Sequence, residues 1–321
     1  MSRPGCKYIV NIMAHNEEES VRETIQTVLR QKVERGSRIK VHVFANACID
    51  KTEDIVRNIA ESSDDVQLHS ITKKGKANAL GECISYFKNE GSIEVIEGMD
   101  RLFFVDADIC INDENLLFRL SKRLDSSEGI YLVSALPVPE SLYNGKRDFV
   151  SDLFRVRFQL QYAFRKNLVR GACYVVRWSV VQRLELPKGL VSDDMFLECI
   201  LDGHFLMDHD LHVVIKLKKS LRLEVKRDLL HQIGREQVYR WRRRGLVRRL
   251  DRNTALPQCF LSPLDPKEYL LYLVKRMKIK AIMILSIWMA IFKINQYRAT
   301  RIFVKRLKED VDLLDYWSTQ R

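Results

Sequence analysis

The stretch Phe103-Phe104-Val105-Asp106-Ala107-Asp108-Ile109 constrains the fold more than any other part of the chain. An apolar run this dense reads as a strand buried on both faces, as strands of parallel sheets are. It delivers Asp106 and Asp108 to the edge of the sheet, where open α/β sheets bind their ligands. Two carboxylates held side by side repel each other, so one keeps a proton or a cation sits between them. A divalent, oxygen-preferring ion carrying a diphosphate meets that need. A strand ending in an ordinary polar turn needs no ion, and the pair alone does not decide between the two.

The chain before this stretch alternates strands and helices. Tyr8 to Ala14 reads as a first buried strand, followed by His15-Asn16-Glu17-Glu18 and a helix that Ser20 can cap, with Val21, Ile25, Val28 and Leu29 on its apolar face. Lys40 to Ala45 is a second strand, and Thr52 reads as the cap of the helix after it. Val66 to Ile71 is a third strand, and the loop Thr72-Lys73-Lys74-Gly75-Lys76 opens a third helix. This spacing predicts an α/β fold with a doubly wound parallel sheet and its loops gathered on one edge.

Beyond Ile109 the pattern changes. A helix is expected over Glu114 to Leu124, a strand over Tyr131 to Leu136 broken by Pro137-Val138-Pro139, and a helix over Phe149 to Lys166. Gly171 to Val176 reads as a strand, and Pro187 to Asp194 as a loop leading into a helix. Val213 to Leu217 and Leu221 to Val225 read as a strand pair joined at Lys218-Lys219. From Asp228 on the chain reads as helical.

The chain has 321 residues, 46% of them hydrophobic, enough for one large core or for a main domain with an appendage. Lys and Arg number 54 against 42 acidic residues, a net charge of +12, which favours anionic partners without choosing among them. The seven cysteines include no CxxC pair and read as reduced thiols of a cytosolic protein. Met1 to Lys7 is polar and does not read as a signal peptide. The apolar run Ala281 to Phe292 falls short of the ~18 to 20 residues that span a bilayer.

Three further clusters can carry chemistry. Lys73, Lys74 and Lys76 flank Gly75 at a helix start, where cationic side chains and free N–H groups can face an anion, or can form a solvated basic turn. Asp193 and Asp194 precede an apolar helix, so they can cap it or, in a cleft, take a proton from an attacking hydroxyl. Gln237, Arg240 and Trp241 share one helical face, suited to gripping a phosphate and offering a flat surface to a sugar. Arg242, Arg243, Arg244, Arg248 and Arg249 keep open a plain basic helix or one that contacts nucleic acid. The histidines, His231 among them, show no metal-ligand spacing.

Taken in order, His15-Asn16-Glu17, Asn46 to Asp50, Lys73 to Lys76, Asp106-Ala107-Asp108, Ser192-Asp193-Asp194 and Gln237 to Trp241 resemble the motif set of family 2 glycosyltransferases of GT-A fold. The resemblance covers about Tyr8 to Arg244. It implies a GT-A catalytic domain over 1-250; the residues beyond it read as a basic amphipathic helical tail over 251-321. It implies inverting transfer of a sugar, hexosyl or N-acetylhexosaminyl, from a nucleotide-diphosphate sugar, usually a UDP-sugar, assisted by Mg²⁺ or Mn²⁺. The acceptor would be a saccharide or a lipid-linked hydroxyl, in cell-surface glycan or glycolipid synthesis.

Carried over by position, Ala14, His15, Asn16 and Glu17 would border the nucleoside, with Asn46, Lys76 and Asp106 also on the donor. Lys76, Gln237 and Arg240 would lie at the diphosphate, and Asp108 with Asp106 at the metal. Asp194 would be the base, and Asp193, Trp241 and Gly171 would meet the acceptor. Asn46 stands where the family usually has an acid, His15 where a tyrosine is common, and Asp193 where a glutamate is usual. The alternatives are a sugar-phosphate nucleotidyltransferase, which would need a glycine-rich N-terminal loop, and a non-enzymatic nucleotide- or nucleic-acid-binding protein on a degenerate transferase fold. No nucleic-acid partner is expected for the transferase.

The tail pairs Lys275, Arg276, Lys278 and Lys280 with the apolar run and Trp288. That pattern suits an anionic membrane surface, placing a cytoplasmic protein at the inner face. It equally suits packing on the catalytic domain or on a second copy in a homo-oligomer.

Overall fold

The computed structural model describes residues 7–90, 100–142, 151–152, 167–216, 221–245, 247, 283, 286–287, 289–299 and 301. The first half follows the expected alternation. β1 (Lys7–Ala14) leads to α1 (Val21–Leu29), β2 (Arg38–Asn46) to α2 (Thr52–Glu61), and β3 (Val66–Ile71) to α3 (Lys76–Ser85). β4 (Arg101–Asp106) is the Asp-x-Asp strand, and the short β5 (Ile109–Cys110) follows it. Then come α4 (Leu116–Ser126), β6 (Leu132–Pro139), β7 (Cys173–Arg177), α5 (Trp178–Val181), α6 (Asp193–Leu201), β8 (Phe205–Ile215) and α7 (Leu221–Arg243).

These strands form one sheet in the order β3-β2-β1-β4-β7-β6-β8-β5. The first four are parallel. β7 then runs antiparallel to both β4 and β6, while β6 and β8 pair in parallel. The α/β sheet is thus parallel in the half that the sequence resolves best and mixed beyond it. Both faces are covered: Tyr8, Val10, Ile12, Phe103 and Val105 point into one core, and Ile9, Met13, Leu102, Phe104 and Tyr174 into the other. Alternating burial on both sides explains why β1 and β4 are apolar at nearly every position. Phe104 stacks on Tyr174 at 5.0 Å, a contact worth about 0.5–1.5 kcal/mol beyond its buried area.

Several local expectations change. Leu221 to Val225 is the start of α7, not a strand. Its alternation over so few residues fits either period, and the helical frame of Leu229, Ile233 and Val238, all buried, decides. Pro137 and Pro139 do not break β6; the strand continues past a register shift at Ala135/Leu136. β7 pairs with β6 only over Leu132 to Ser134, so both prolines lie where that neighbour has ended.

Neither expected helix cap forms as foreseen. Ser20 directs its hydroxyl to Glu17. Thr52 is already the first helical residue; it donates its N–H and hydroxyl to Asp50 and accepts the Glu17 N–H. The helix expected over Phe149 to Lys166 lies outside the described residues except for Ser151 and Asp152, which are helical. Cys48, Cys83, Cys110 and Cys173 are free thiols. Among the described residues no helix is long and apolar enough to cross a membrane.

Candidate active site

The register places the motifs side by side. Met13 pairs with Asp106 and Ala14 with Ala45, so the loops after β1, β2 and β4 leave adjacent strand ends. Asn46 pairs with Ile71, which adds the loop after β3. Because β7 runs antiparallel to β4, its beginning meets the end of β4, with Cys173 opposite Val105. The Asp106 N–H donates to the Ala172 carbonyl at 2.9 Å, setting Gly171 beside the carboxylates.

Lys76 joins the two sides of this edge. Its Nζ is 2.7 Å from Asp106 Oδ1 and 3.7 Å from Asp193 Oδ2, and donates to the Gly171 carbonyl at 3.4 Å. Burial lowers the Lys76 ammonium, but Asp106, Asp193 and Asp194 outweigh it and keep the group charged well above the usual lysine range. Burial pushes the Asp106 carboxyl up to about 6 against the pull of Lys76, and nearby Asp108 adds to the rise. The cation that the Asp-x-Asp pair calls for is thus supplied to Asp106 by Lys76. A Cβ at Gly171 would lie 3.0 Å from the Lys76 ammonium, so a side chain there would crowd the bridge.

Asp194 opens α6 and is closely held. Its Oδ1 accepts the Ser192 hydroxyl and, at 2.8 Å, the Met195 N–H. Burial raises this carboxyl, but the charge of His231, the Ser192 hydroxyl, Lys76 and the Met195 amide together bring it below the usual carboxylate range. Asp194 is therefore ionised and hydrogen-bonded at the edge that carries Lys76, Asp106 and Asp193, the state in which a carboxylate can accept a proton.

Glu198 lies one turn further along α6 and is buried. Its Oε1 accepts the Val169 N–H at 2.8 Å, tying α6 to the segment that carries Gly171. Burial, reinforced by Asp194, pushes Glu198 up to about 8 against the pull of Arg170. A carboxyl raised in the folded state adds stability at low pH that is lost as pH climbs from its unfolded value toward its folded one. Glu198→Gln keeps an acceptor for Val169 and carries no charge. Its melting temperature is expected to fall less than that of wild type between about pH 5 and pH 8, by several degrees at about 2–4 °C per kcal/mol. Parallel slopes in thermal melts across that range would show that Glu198 carries no such penalty.

The residues expected at the donor mainly hold one another. Asn46 is buried: its Nδ2 donates to the Lys73 carbonyl at 2.6 Å and its Oδ1 accepts the Gly75 N–H at 2.8 Å. Its side chain shapes the lysine loop and is not turned outward to a base. His15 Nδ1 lies 2.5 Å from the Asn46 carbonyl, and Asn16 accepts the Ile49 N–H at 2.8 Å from a left-handed backbone with φ 55°. The Glu17 N–H donates to the Thr52 hydroxyl at 2.8 Å. Ala14 is buried at the end of β1.

The residues of α7 divide their work. Gln237 is buried, accepting the Val191 N–H at 2.9 Å and donating to the Gly189 carbonyl at 2.7 Å. Both amide atoms therefore fix the loop that leads to Asp194, and neither is directed at a phosphate. Arg240 pairs with Glu236 at 2.6 Å and lines a surface cavity of about 280 Å³ with Tyr239, Arg243 and Arg244. Trp241 packs against the core. The edge thus assembles Lys76, Asp106, Asp108, Gly171, Asp193 and Asp194, while Arg240 and Trp241 make their observed contacts elsewhere.

Glu198, His231 and Gly234 are site-supporting residues that the motif reading passed over, and Ser192, named there only as part of a motif, holds Asp194. Gly234 could have been noticed as a glycine inside a helix, a placement that usually answers to close packing. His231 follows no ligand spacing and gave no signal. As for a divalent ion, no group of three His, Cys, Asp or Glu residues gathers among the described residues. Two carboxylates completed by substrate phosphates and water are nonetheless a common Mg²⁺ set, and Asp106 with Asp108 fits it.

This sheet, with its motif loops collected at one edge, defines a nucleotide-sugar transferase fold. Residues 9–179 match the family model described as Glycosyl transferase family 2, and the chain belongs to that family. Comparison with curated proteins finds no match. Among solved structures, the chain is similar to the mannosyltransferase PcManGT from Pyrobaculum calidifontis, solved with GDP-Man and Mn²⁺. Identity is 17%, covering 97% of this chain and 89% of that one, with a TM-score of 0.58, which establishes the shared GT-A fold. Glucosyl-3-phosphoglycerate synthase from Mycobacterium tuberculosis matches at 17% identity and TM-score 0.47, over 78% of this chain and 84% of that one. Mannosyl-3-phosphoglycerate synthase from Rubrobacter xylanophilus matches at 14% and 0.48, over 81% and 84%.

Proposed function

We propose that the protein is an inverting, metal-dependent glycosyltransferase that moves a hexosyl or N-acetylhexosaminyl group from a nucleotide-diphosphate sugar to a hydroxyl of a saccharide or lipid-linked acceptor. The observation that carries this reading is an ionised Asp194 at the same sheet edge as Asp106 and Asp108, with Lys76 spanning from Asp106 to Asp193. Asp194 takes the proton of the acceptor hydroxyl while that oxygen bonds to the anomeric carbon and the nucleoside diphosphate departs from the opposite face. Lys76 presents a fixed positive charge to the departing phosphates. Asp106 and Asp108 would hold Mg²⁺ or Mn²⁺, which supplies charge stabilisation for that leaving group.

Gly171 and Asp193 border the acceptor, with Trp241 beyond them. Gln237 serves the diphosphate through the loop that it fixes, and Arg240 through its charge. Residues 1-250 form the catalytic unit, and 251-321 an appendage to it. UDP is the first candidate base carrier, and the GDP-Man complex of the Pyrobaculum neighbour adds a guanosine donor. Cell-surface glycan or glycolipid synthesis is the setting that this chemistry suits.

The test is a panel of UDP- and GDP-sugars with Mn²⁺, read as slow donor hydrolysis and as thermal stabilisation without an acceptor. The correct donor at about 100 times its Kd is expected to add ~2.7 kcal/mol. If no donor is hydrolysed and none raises the melting temperature, the transferase reading fails.

A further inference from the structure

Among the described residues near the C-terminus, one helical face is exposed. Met283, Ile287, residues 289–299 and Arg301 are helical. One side of this helix is seated on α7: Asn295 Nδ2 donates to the Val225 carbonyl and to Asp228 Oδ2, each at 3.0 Å, and Ala299 packs with Leu229 and Ile233. Asn295 and Ala299 are each 1% exposed. Met283, Ile287, Ile294 and Tyr297 are instead 61%, 47%, 57% and 63% exposed. At 3.6 residues per turn these four fall in one stripe roughly 80° wide, turned about 140° from Asn295 and Ala299. Single exposed apolar residues are ordinary on a protein surface, but an aligned row of large ones marks a contact surface.

The charges around the stripe indicate what covers it. Lys293, Arg298 and Arg301 border it or close its end, and all three are exposed. The Arg301 guanidinium lies over the Tyr297 ring at 5.7 Å. No Asp or Glu occurs between Glu268 and Glu309. A second copy laid on this face would bring two positive rims together around a dry contact. An anionic lipid surface complements the rim and accepts the stripe at the boundary between headgroups and acyl chains. We infer that this helix seats the protein on an anionic lipid surface, with Met283, Ile287, Ile294 and Tyr297 inserted and Lys293, Arg298 and Arg301 on the headgroups. The inference concerns where the protein sits and stands apart from the assignment of its reaction.

The test is co-sedimentation of the full chain with vesicles of phosphatidylcholine alone and of phosphatidylcholine with phosphatidylglycerol. Wild type is expected to sediment with the anionic vesicles and to stay in solution with the neutral ones. The double variant Ile287→Glu/Ile294→Glu should weaken binding at least about tenfold, as should Arg298→Glu/Arg301→Glu, which should also flatten the dependence on salt. The replaced side chains are exposed, so melting curves should stay near that of wild type. Tyr297→Ala, which removes a single exposed ring, should show a smaller loss and keeps the test open should a double variant fail to fold.

Wild type that ignores anionic vesicles overturns the inference. So does undiminished binding by the Ile287 and Ile294 variant, since other basic residues would then carry the binding. A wild-type dimer that this variant converts to a monomer in sedimentation velocity also overturns it, because a second copy would then be the cover.

Discussion

Asp194→Asn is expected to lower the rate of sugar transfer by about 10²- to 10⁴-fold, the range that a positioned acid or base contributes. The substitution is close to isosteric. An amide oxygen can still accept the Met195 N–H, as Asp194 Oδ1 does at 2.8 Å, and can still meet the Ser192 hydroxyl. What is lost is the negative charge that, in the proposed mechanism, would receive the acceptor's proton. Donor binding should change little, because the loops proposed for the donor are held by Asn46, Thr52 and the end of β4, and Lys76 keeps its nearer partner Asp106 at 2.7 Å. Product release under saturating donor and acceptor, set beside calorimetric titration with the nucleoside diphosphate, separates the two effects. Normal turnover in the variant would remove Asp194 from the role of base. A lost affinity for nucleotide would mean that its charge organises Lys76 and the donor side instead.

The extent to which this site can be read from the sequence follows from which interactions are local. β1 and β4 announce themselves because strands buried on both faces must be apolar at almost every position, and Asp106 ends such a run. The loops after them inherit their place at the edge from the topology of parallel strands. The other half of the edge depends on β7 running antiparallel to β4, and nothing in Gly171 to Val176 states a direction. The ion pair from Lys76 to Asp106, and its reach to Asp193, join residues far apart in sequence whose partners no motif names. Asn46 and Gln237 show the complementary limit. Polar residues at motif positions suggest a ligand, yet both amides are occupied by backbone groups of neighbouring loops, as buried amides generally must be. Their contacts are with the loops that shape the sheet edge.

Gly234→Ala tests that loop support, and its two opposing effects differ enough in size to predict the outcome. Within a helix, alanine is favoured over glycine by about 1 kcal/mol. Against this, a Cβ at Gly234 would lie 2.5 Å from Ser192 Cβ and 3.4 Å from Ser192 N. Carbon atoms in contact sit about 3.5–4.0 Å apart, and neither Ser192 atom is the far end of a flexible chain, so α7 or the loop must move. Overpacking of this kind costs about 1–3 kcal/mol. Gln237, three residues on, would in addition strain its two hydrogen bonds to Gly189 and Val191, each worth about 0.5–1.5 kcal/mol. The expected result is a net loss of about 2 kcal/mol in denaturant melts.

Activity should fall further than stability, about 10²-fold for a shift of 1 Å, because Ser192 carries the hydroxyl that holds Asp194. Gly81→Ala provides the contrast. It lies within α3 with its nearest neighbour at 3.8 Å, so the helical preference should prevail and the variant should gain up to about 1 kcal/mol. Adding Ser192→Gly to Gly234→Ala removes the opposing Cβ and should return most of the lost stability. The rate should stay low, because the Ser192 hydroxyl leaves with its side chain. A Gly234→Ala protein with wild-type stability and rate would mean that α7 does not rest on Ser192, and that the loop before Asp194 is held by other contacts.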